Sequence, residues 1–412
     1  MDSSRQKIIG NKGLVILIAL LSAFVPLSTD LYLPALPTMS AFFGVGANRV
    51  NLTLTMFFIF YALGTLIWGP LSDRYGRKPI LVTGLSIYIL ASLSCVFAGS
   101  INVLILCRIF QAVGGSAAGA VATAIVKDSY SGKKRLSILA IVQSMVLISP
   151  ALAPVLGAFL LKVMSWRGVF MTLTGIGVLA LVGSLLFTES IIERNTINLL
   201  PSLGRLGHVL KNRSFAMLLV LFSMGSLSSM AFIASSTYIY QDGFHLSGQI
   251  YSLYFSLNAL GLILGPMIFL RLARHVHSEK IIRICYVVIA SSGLLVCLFG
   301  NTQPWVFALC MLPASTAGSC FRSPATNMML EQQKGDSGAV SSLIGCTGLL
   351  MGSLGMQLIS LPWSNLILTL GIMTISTAIL ALAAWPFIIT RVIRLPGLNE
   401  QVTPPVEMVD TL

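Results

Sequence analysis

The sequence predicts an all-α integral membrane protein in which twelve spanning helices form two pseudo-symmetric bundles of six. Three observations carry this prediction. Of 412 residues, 56% are hydrophobic and only 9% are charged, against about a quarter charged in soluble domains, so lipid is the main solvent. Twelve apolar runs reach the roughly 20 residues that a bilayer core about 30 Å thick requires of a helix. The basic residues, finally, gather in alternate loops.

The runs lie at about 14–36, 49–70, 80–99, 102–126, 137–161, 167–188, 214–240, 248–270, 281–300, 304–328, 338–360 and 365–390. Together they use most of the chain and leave no room for a soluble domain. Arg5, Lys7 and Lys12 ahead of the first run imitate a signal peptide. The run is too long for one, ends in Pro34 and Pro37, and precedes eleven more spans, so it reads as a retained helix.

The longest hydrophilic connection carries Glu189, Glu193, Arg194, Arg205, Lys211 and Arg213. It divides the chain into a first bundle (1–190), a cytoplasmic inter-bundle loop (191–213), a second bundle (214–394) and a cytoplasmic tail (395–412). A weak internal repeat agrees: Gly69-Pro70 ends the second span and Gly265-Pro266 recurs in the eighth, at an offset of 196. Paired six-helix halves are how many secondary transporters are built. Glycines within the spans let helix backbones approach closely.

The net charge of +13 does not imply a nucleic-acid partner. Of 26 Lys and Arg, 21 fall in the two termini and alternate loops, which the positive-inside rule makes cytoplasmic, facing anionic lipid. The remaining five are Arg49, Lys162 and Arg167 at outer helix ends and Arg108 and Arg322 within helices. All seven cysteines sit in apolar spans without CxxC spacing and His is not clustered, so neither a metal site nor disulfides are expected. No P-loop is present to use ATP. A membrane enzyme or receptor would need a catalytic constellation or an output domain, and the spans leave room for neither.

Ionisable groups at membrane depth cost about 2.5 to 3.5 kcal/mol and mark candidate functional sites. Asp30 is the only carboxylate well inside a span. Pro34 removes the usual partner of its carbonyl and Pro26 does the same to Ser22, so a kinked, polar segment is expected there. A carboxyl in such a place can exchange a proton as its surroundings change; a structural ion pair or a solvated mouth residue is the plainer reading. Arg108 lies at similar depth in the fourth span and needs an acceptor, either Asp30 or a carbonyl freed by proline. Gln111 adds an amide to the same helical face. Arg322 in the tenth span either meets a ligand or snorkels to the interface. Tyr32, Tyr61, Tyr238, Asn258 and Gln357 are further cavity candidates, although tyrosines near helix ends also serve as interface anchors.

Between the second and third spans runs Gly69-Pro70-Leu71-Ser72-Asp73-Arg74-Tyr75-Gly76-Arg77-Lys78-Pro79. Asp73 is placed to cap a helix N-terminus, and Arg77 to reach a second acid, for which Asp128 is the candidate. These residues form either a gate that breaks during transport or a basic anchor. In the fifth span, Pro150 and Pro154 open the hydrogen-bond ladder twice just before Gly157, and a bend is expected.

At these residues the chain resembles the major facilitator superfamily, and within it the twelve-helix drug/proton antiporters of the Bcr/CflA multidrug efflux type. Gly69 to Pro79 is similar to the superfamily's loop motif almost position for position. Arg108, Gln111 and Gly114-Gly115 resemble the fourth-helix motif of proton-coupled members, with Ala112 where glycine is common. Pro154 and Gly157 resemble the fifth-helix antiporter motif, with Ala153 in place of a glycine. Thr29-Asp30-Leu31-Tyr32-Leu33-Pro34-Ala35 is similar to the first-helix motif of the Bcr/CflA exporters, whose acid handles substrate and proton. In the second half, Phe269 to Lys280 keeps the basic charge of the loop motif but not its pattern.

The resemblance implies alternating access, with two halves rocking about a central cavity and inward proton movement driving export. It implies substrates akin to bicyclomycin, sulfonamides, chloramphenicol-like drugs or cysteine, no cofactor, and a monomer in a bacterial inner membrane with both termini cytoplasmic. Asp30 is the expected proton carrier, Arg108 its electrostatic partner, and one proton is expected per cycle. A dedicated exporter or importer of one metabolite or siderophore would share the fold, and direction of flux separates the two.

Overall fold

The computed structural model describes residues 8–191, 199–333 and 337–393; the tail expected at 395–412 and part of the inter-bundle connection lie outside them. Among the described residues there are helices and no strands. The order is α1 (Gly10–Asp30), a 3₁₀ turn (Leu33–Ala35), α2 (Leu36–Phe43), α3 (Ala47–Tyr75), α4 (Arg77–Val96), α5 (Ile101–Ser129), α6 (Gly132–Val163) and α7 (Trp166–Leu186). Then come α8 (Leu199–Leu210), α9 (Arg213–Tyr238), a π turn (Ile239–Gly243), α10 (Gly248–Leu272), α11 (Ser278–Phe299), α12 (Pro304–Glu331), α13 (Ser337–Ile359) and α14 (Leu366–Ile393). Twelve of these segments are long and apolar enough to cross a membrane, the first being α1 and α2 taken together. Unforeseen in the sequence are α8, which puts a helix in the connection expected to be a loop, α2, which carries the first span past its expected end near residue 36, and the π turn after α9.

Helix pairing follows one plan twice. In the first set, α5 packs on α3, α4 and α1, α1 on α6, and α4 on α7. Each contact has a counterpart in the second set: α12 packs on α10, α11 and α9, α9 on α13, and α11 on α14. The two sets meet along two seams, α3 with α13 and α6 with α10. The outer faces stay apolar and exposed, as at Leu90, Phe110, Phe159, Leu253 and Leu380, which is what helices facing lipid require.

The duplication extends to single atoms. A Cβ on Gly157 of α6 would stand 1.8 Å from the carbonyl oxygen of Leu31, and one on Gly355 of α13 would stand 2.0 Å from that of Leu227. In each half the fifth helix thus crosses the first backbone against backbone. In hydrocarbon, where burial of apolar surface supplies no drive between helices, such close van der Waals packing is a main source of association.

The hydrogen bonds that join the two sets among the described residues lie in one half of the molecule, away from the Gly69–Lys78 loop. Asn51 donates to Ser360 Oγ (2.8 Å) and Ala234 O (3.3 Å). Thr237 donates to Leu33 O (3.0 Å), and Gln241 to Pro34 O (3.1 Å). From α10, Gln249, Ser252 and Ser256 donate to the carbonyls of Ala158 (3.1 Å), Pro154 (2.9 Å) and Ala151 (2.5 Å). These three acceptors are main-chain carbonyls of α6 beside Pro150 and Pro154. At the opposite, loop-bearing end a cavity of about 490 Å³ opens among α3, α5 and α6. Among the described residues the two sets are hydrogen-bonded to each other at the far end, while this cavity is lined by the first set alone.

Candidate functional site

The first span breaks where its prolines say it should. The ladder of α1 ends with Leu31 donating to Leu27 (3.4 Å), and the chain passes through the 3₁₀ turn Leu33–Ala35 before α2 resumes. Asp30 is the last residue of α1, buried, with Thr29 donating to its Oδ1 at 3.0 Å. Its carboxyl stands on the wall of a cavity of about 120 Å³ between the two sets. At about one water per 10–15 Å³ of such space, this holds several waters or one end of a small ligand. Pro150 of α6 joins the wall, so the fifth span borders the same space. The rest is supplied by the second set: ring faces from Phe232 and Phe255, an amide from Asn258, and hydroxyls from Ser228, Ser315 and Thr374.

Arg108 does not pair with Asp30, which corrects the expectation of an electrostatic partnership. Its guanidinium, completely buried, donates from Nη1 to Ser28 O (3.0 Å) and to Gln111 Oε1. It lies over the rings of Phe57 (4.2 Å), Tyr32 (4.6 Å) and Phe170 (5.9 Å). Because α1 ends so soon after Ser28, that carbonyl is available to the guanidinium, and three ring faces supply attraction worth about 2 kcal/mol each when desolvated. A carbonyl, an amide and π-faces thereby replace the carboxylate. Gln111 continues the chain to Ser92 Oγ (2.7 Å), while Ser28 Oγ and Tyr88 OH share a bond of 2.7 Å.

The tyrosine candidates are also corrected, since none of the three borders the cavity. Tyr32 is held by Thr53 (2.9 Å) as part of the arginine cage. Tyr61 fills the notch above Gly119, where a Cβ would meet its hydroxyl at 2.3 Å. Tyr238 is buried at the far end of α9, its hydroxyl without a partner among the described residues. Gln357 on α13 is half-buried, and its Oε1 likewise has none. Aromatic character could not distinguish a side chain lining a cavity from one packed behind it.

Arg322 is exposed and does not line this cavity. Ala314 and Gly318 line the cavity at spacing four on α12, and Arg322 continues that face by one turn toward the loop end. Among the described residues it makes no ion pair.

The loop motif assembles around one guanidinium. Arg77 is buried, with Nε on Asp128 Oδ2 (2.8 Å) and Nη1 on both Asp73 Oδ1 (2.5 Å) and Ser72 Oγ (2.6 Å). The contact with Asp128 is the one expected. Asp73 does not cap a helix, however; it lies in the last turn of α3, facing Arg77. The cap on α4 is Glu189, whose Oε1 accepts from Arg77 N and whose Oε2 accepts from Lys78 N, each at 3.0 Å. A carboxylate on the first free N–H groups of a helix also meets the positive end of its dipole. Sequence reasoning placed Glu189 only in a hydrophilic connection, because the capping signal sits next to a helix in sequence and this carboxylate arrives from over a hundred residues away.

Gly76 makes that approach possible. Its φ of 104° favours glycine, and a Cβ there would stand 2.6 Å from Glu189 Oε2. Lys78 Nζ donates to Leu185 O (2.6 Å), tying α4 to the end of α7, and Arg74 lies over the ring of Tyr75 at 5.3 Å. Gly69, Asp73, Arg77 and Asp128 all face the 490 Å³ cavity.

Comparison with known proteins agrees with this architecture. The Major Facilitator Superfamily profile matches residues 18–356. An uncharacterised MFS-type transporter of Bacillus subtilis, YdgK, is 28% identical over 380 residues, covering 90% of this chain and 94% of its own. The bicyclomycin resistance protein homolog of Haemophilus influenzae is 24% identical, with 93% and 98% covered. A peptide transporter, POT, crystallised with sulfate, superposes with a TM-score of 0.73 at 14% identity, with 92% and 95% covered, a likeness of fold alone. Twelve membrane-crossing segments in a doubled plan, a cavity between the sets and a match over most of the chain lead to one conclusion: this multi-pass membrane protein is a transporter belonging to the Major Facilitator Superfamily.

Proposed function

We propose that the protein is a proton-coupled antiporter of the Bcr/CflA type that exports small amphipathic compounds by alternating access. The observation that carries this reading is Asp30, the one carboxylate on the wall of the cavity between the sets, at the point where the first span loses its helical hydrogen bonds. A single buried carboxyl facing the ligand space can hold either a proton or the ligand's donor. Mutually exclusive occupancy of that kind couples the two fluxes, one proton per cycle.

The halves that move are residues 1–190 and 214–394, joined by 191–213, with both termini cytoplasmic in a bacterial inner membrane. The positive-inside distribution supports this orientation, and the loop end then faces the cytoplasm, where substrate is collected. The Arg77, Asp73, Asp128 and Glu189 cluster is the cytoplasmic latch. Arg108 holds the break in the first span by its bond to Ser28 and so sets where Asp30 stands. The Haemophilus relative named for bicyclomycin resistance supports a drug-like substrate.

Proton movement in inverted membrane vesicles carrying a pH gradient tests the reading. Drugs of this kind are expected to dissipate the gradient with wild type and to leave it intact with Asp30→Asn. Equal responses from both proteins would remove Asp30 from the coupling mechanism.

A further inference from the structure

Asn258 occupies an unusual position on the cavity wall. It is 2% exposed, and its Nδ2 donates to Tyr254 O of the preceding helical turn at 3.4 Å. Its Oδ1 accepts nothing among the described residues. Exchanging the two amide atoms would bring oxygen against the Tyr254 carbonyl, so the acceptor is the atom left over. A buried amide acceptor without a donor costs about 1 to 3 kcal/mol, and it is recovered by whatever brings a donor into the cavity.

The remaining wall determines what that donor belongs to. Across the cavity stands the Asp30 carboxyl, a second acceptor. Beside Asn258 the rings of Phe232 and Phe255 are parallel within 5°, centroids 5.8 Å apart, offering flat apolar faces. The only other charge along this face is Arg322, one turn beyond Gly318, away from the acceptor end. Two acceptors and ring faces at one end of a cavity match a protonated amine or amidine attached to a flat aromatic body.

We propose that Asn258 is a specificity-determining residue that selects ligands by their N–H donors, making aryl-substituted protonated amines and amidines the preferred substrate class. The assignment rests on the drug-export reading above for the role of the cavity, but its test does not depend on proton coupling.

The probes are a protonated naphthylmethyl secondary amine and its trimethylammonium counterpart, which has the same charge and ring but no N–H. Binding is measured by calorimetry on the purified full-length protein in detergent. The comparison is diagnostic because a site offering charge and rings alone favours the quaternary ion, whose less hydrated head is easier to desolvate. Wild type is expected to bind the secondary amine about tenfold more tightly, the worth of one charge-assisted hydrogen bond. Asn258→Leu is expected to cut that preference at least about threefold and leave the quaternary ion's affinity within about twofold, Asp30 remaining as the second acceptor, whereas Asn258→Asp, which keeps an acceptor, retains it. A wild type that binds neither probe, or binds the quaternary ion as well or better, overturns the proposal whether or not the variants fold. A preference undiminished by Asn258→Leu overturns it too. Failure of the vesicle experiment with intact amine selectivity would instead refute coupling through Asp30 alone.

Discussion

At the scale of single residues, one guanidinium organises each polar centre, and the two are built differently. Arg77 is matched by carboxylates, of which Asp73 is half exposed and Asp128 more enclosed, so most of its fixed attraction comes from the second. Arg77→Lys keeps the charge but cannot reach Asp128, Asp73 and Ser72 together. It is expected to cost about 1 to 3 kcal/mol and to abolish transport, read by thermal unfolding in detergent and by flux in vesicles. Glu189→Gln keeps the shape and removes the charge from the α4 N-terminus. A loss of about 0.5 to 1 kcal/mol is expected, and an unchanged melting temperature would show that the carboxylate's charge contributes nothing there. Arg108 has no carboxylate at all: its Nη1 donates to a carbonyl and an amide, rings cover it, and its Nε and Nη2 have no hydrogen-bond partner among the described residues. Its need for an acceptor was legible in the sequence, but the acceptor was not, because Ser28 becomes available only when the helix end is placed in space.

At the scale of helices, glycines do different work according to what stands against them. Gly157 meets the Leu31 carbonyl so closely that any Cβ must push backbone aside, and Gly355 repeats this against Leu227. Gly157→Ala and Gly355→Ala are each expected to destabilise the protein by about 1 to 3 kcal/mol, a loss measurable as a lower midpoint of thermal unfolding. Gly69, by contrast, has nothing within 4 Å of where its Cβ would stand. Gly69→Ala should leave the midpoint unchanged or slightly raised, as alanine favours the helix by up to about 1 kcal/mol. Transport should fall nonetheless if the loop end closes onto this residue during the cycle. Equal transport by Gly69→Ala and wild type would mean that this face never meets another helix. The paired prolines of α6 were legible in the sequence, while the α10 hydroxyls that take the neighbouring carbonyls were not, for their periodicity marks only a polar edge.

For the whole molecule, the hydrogen bonds between the two sets concentrate at the far end, the arrangement expected at one extreme of the rocking cycle proposed above. Asn51 and Ser360 touch across the seam at 2.8 Å. With the seven native cysteines replaced, Asn51→Cys together with Ser360→Cys is expected to join readily through a short bis-methanethiosulfonate, which links the two thiols by reducible disulfides. The linked protein should lose transport and regain it on reduction. Full transport in the linked state would show that the far end need not open.

The sequence by itself determined the solvent, the number of spans, the division into halves and the identity of the ionisable groups at membrane depth, because each follows from local quantities: apolar length, loop charge and the cost of burying a charge. Even the fold family was legible from short motifs at fixed spacing. Tertiary structure alone decided which groups meet. Arg108 took Ser28 and three rings in place of Asp30, Glu189 capped a helix that begins over a hundred residues earlier, and Asn258, not the tyrosines, came to share the cavity wall with Asp30. A helix shows one face to its neighbours and another to lipid, and in a membrane both faces are apolar. The pattern that distinguishes inside from outside in water is therefore absent, and only the packing of the two sets reveals which side chains share a cavity.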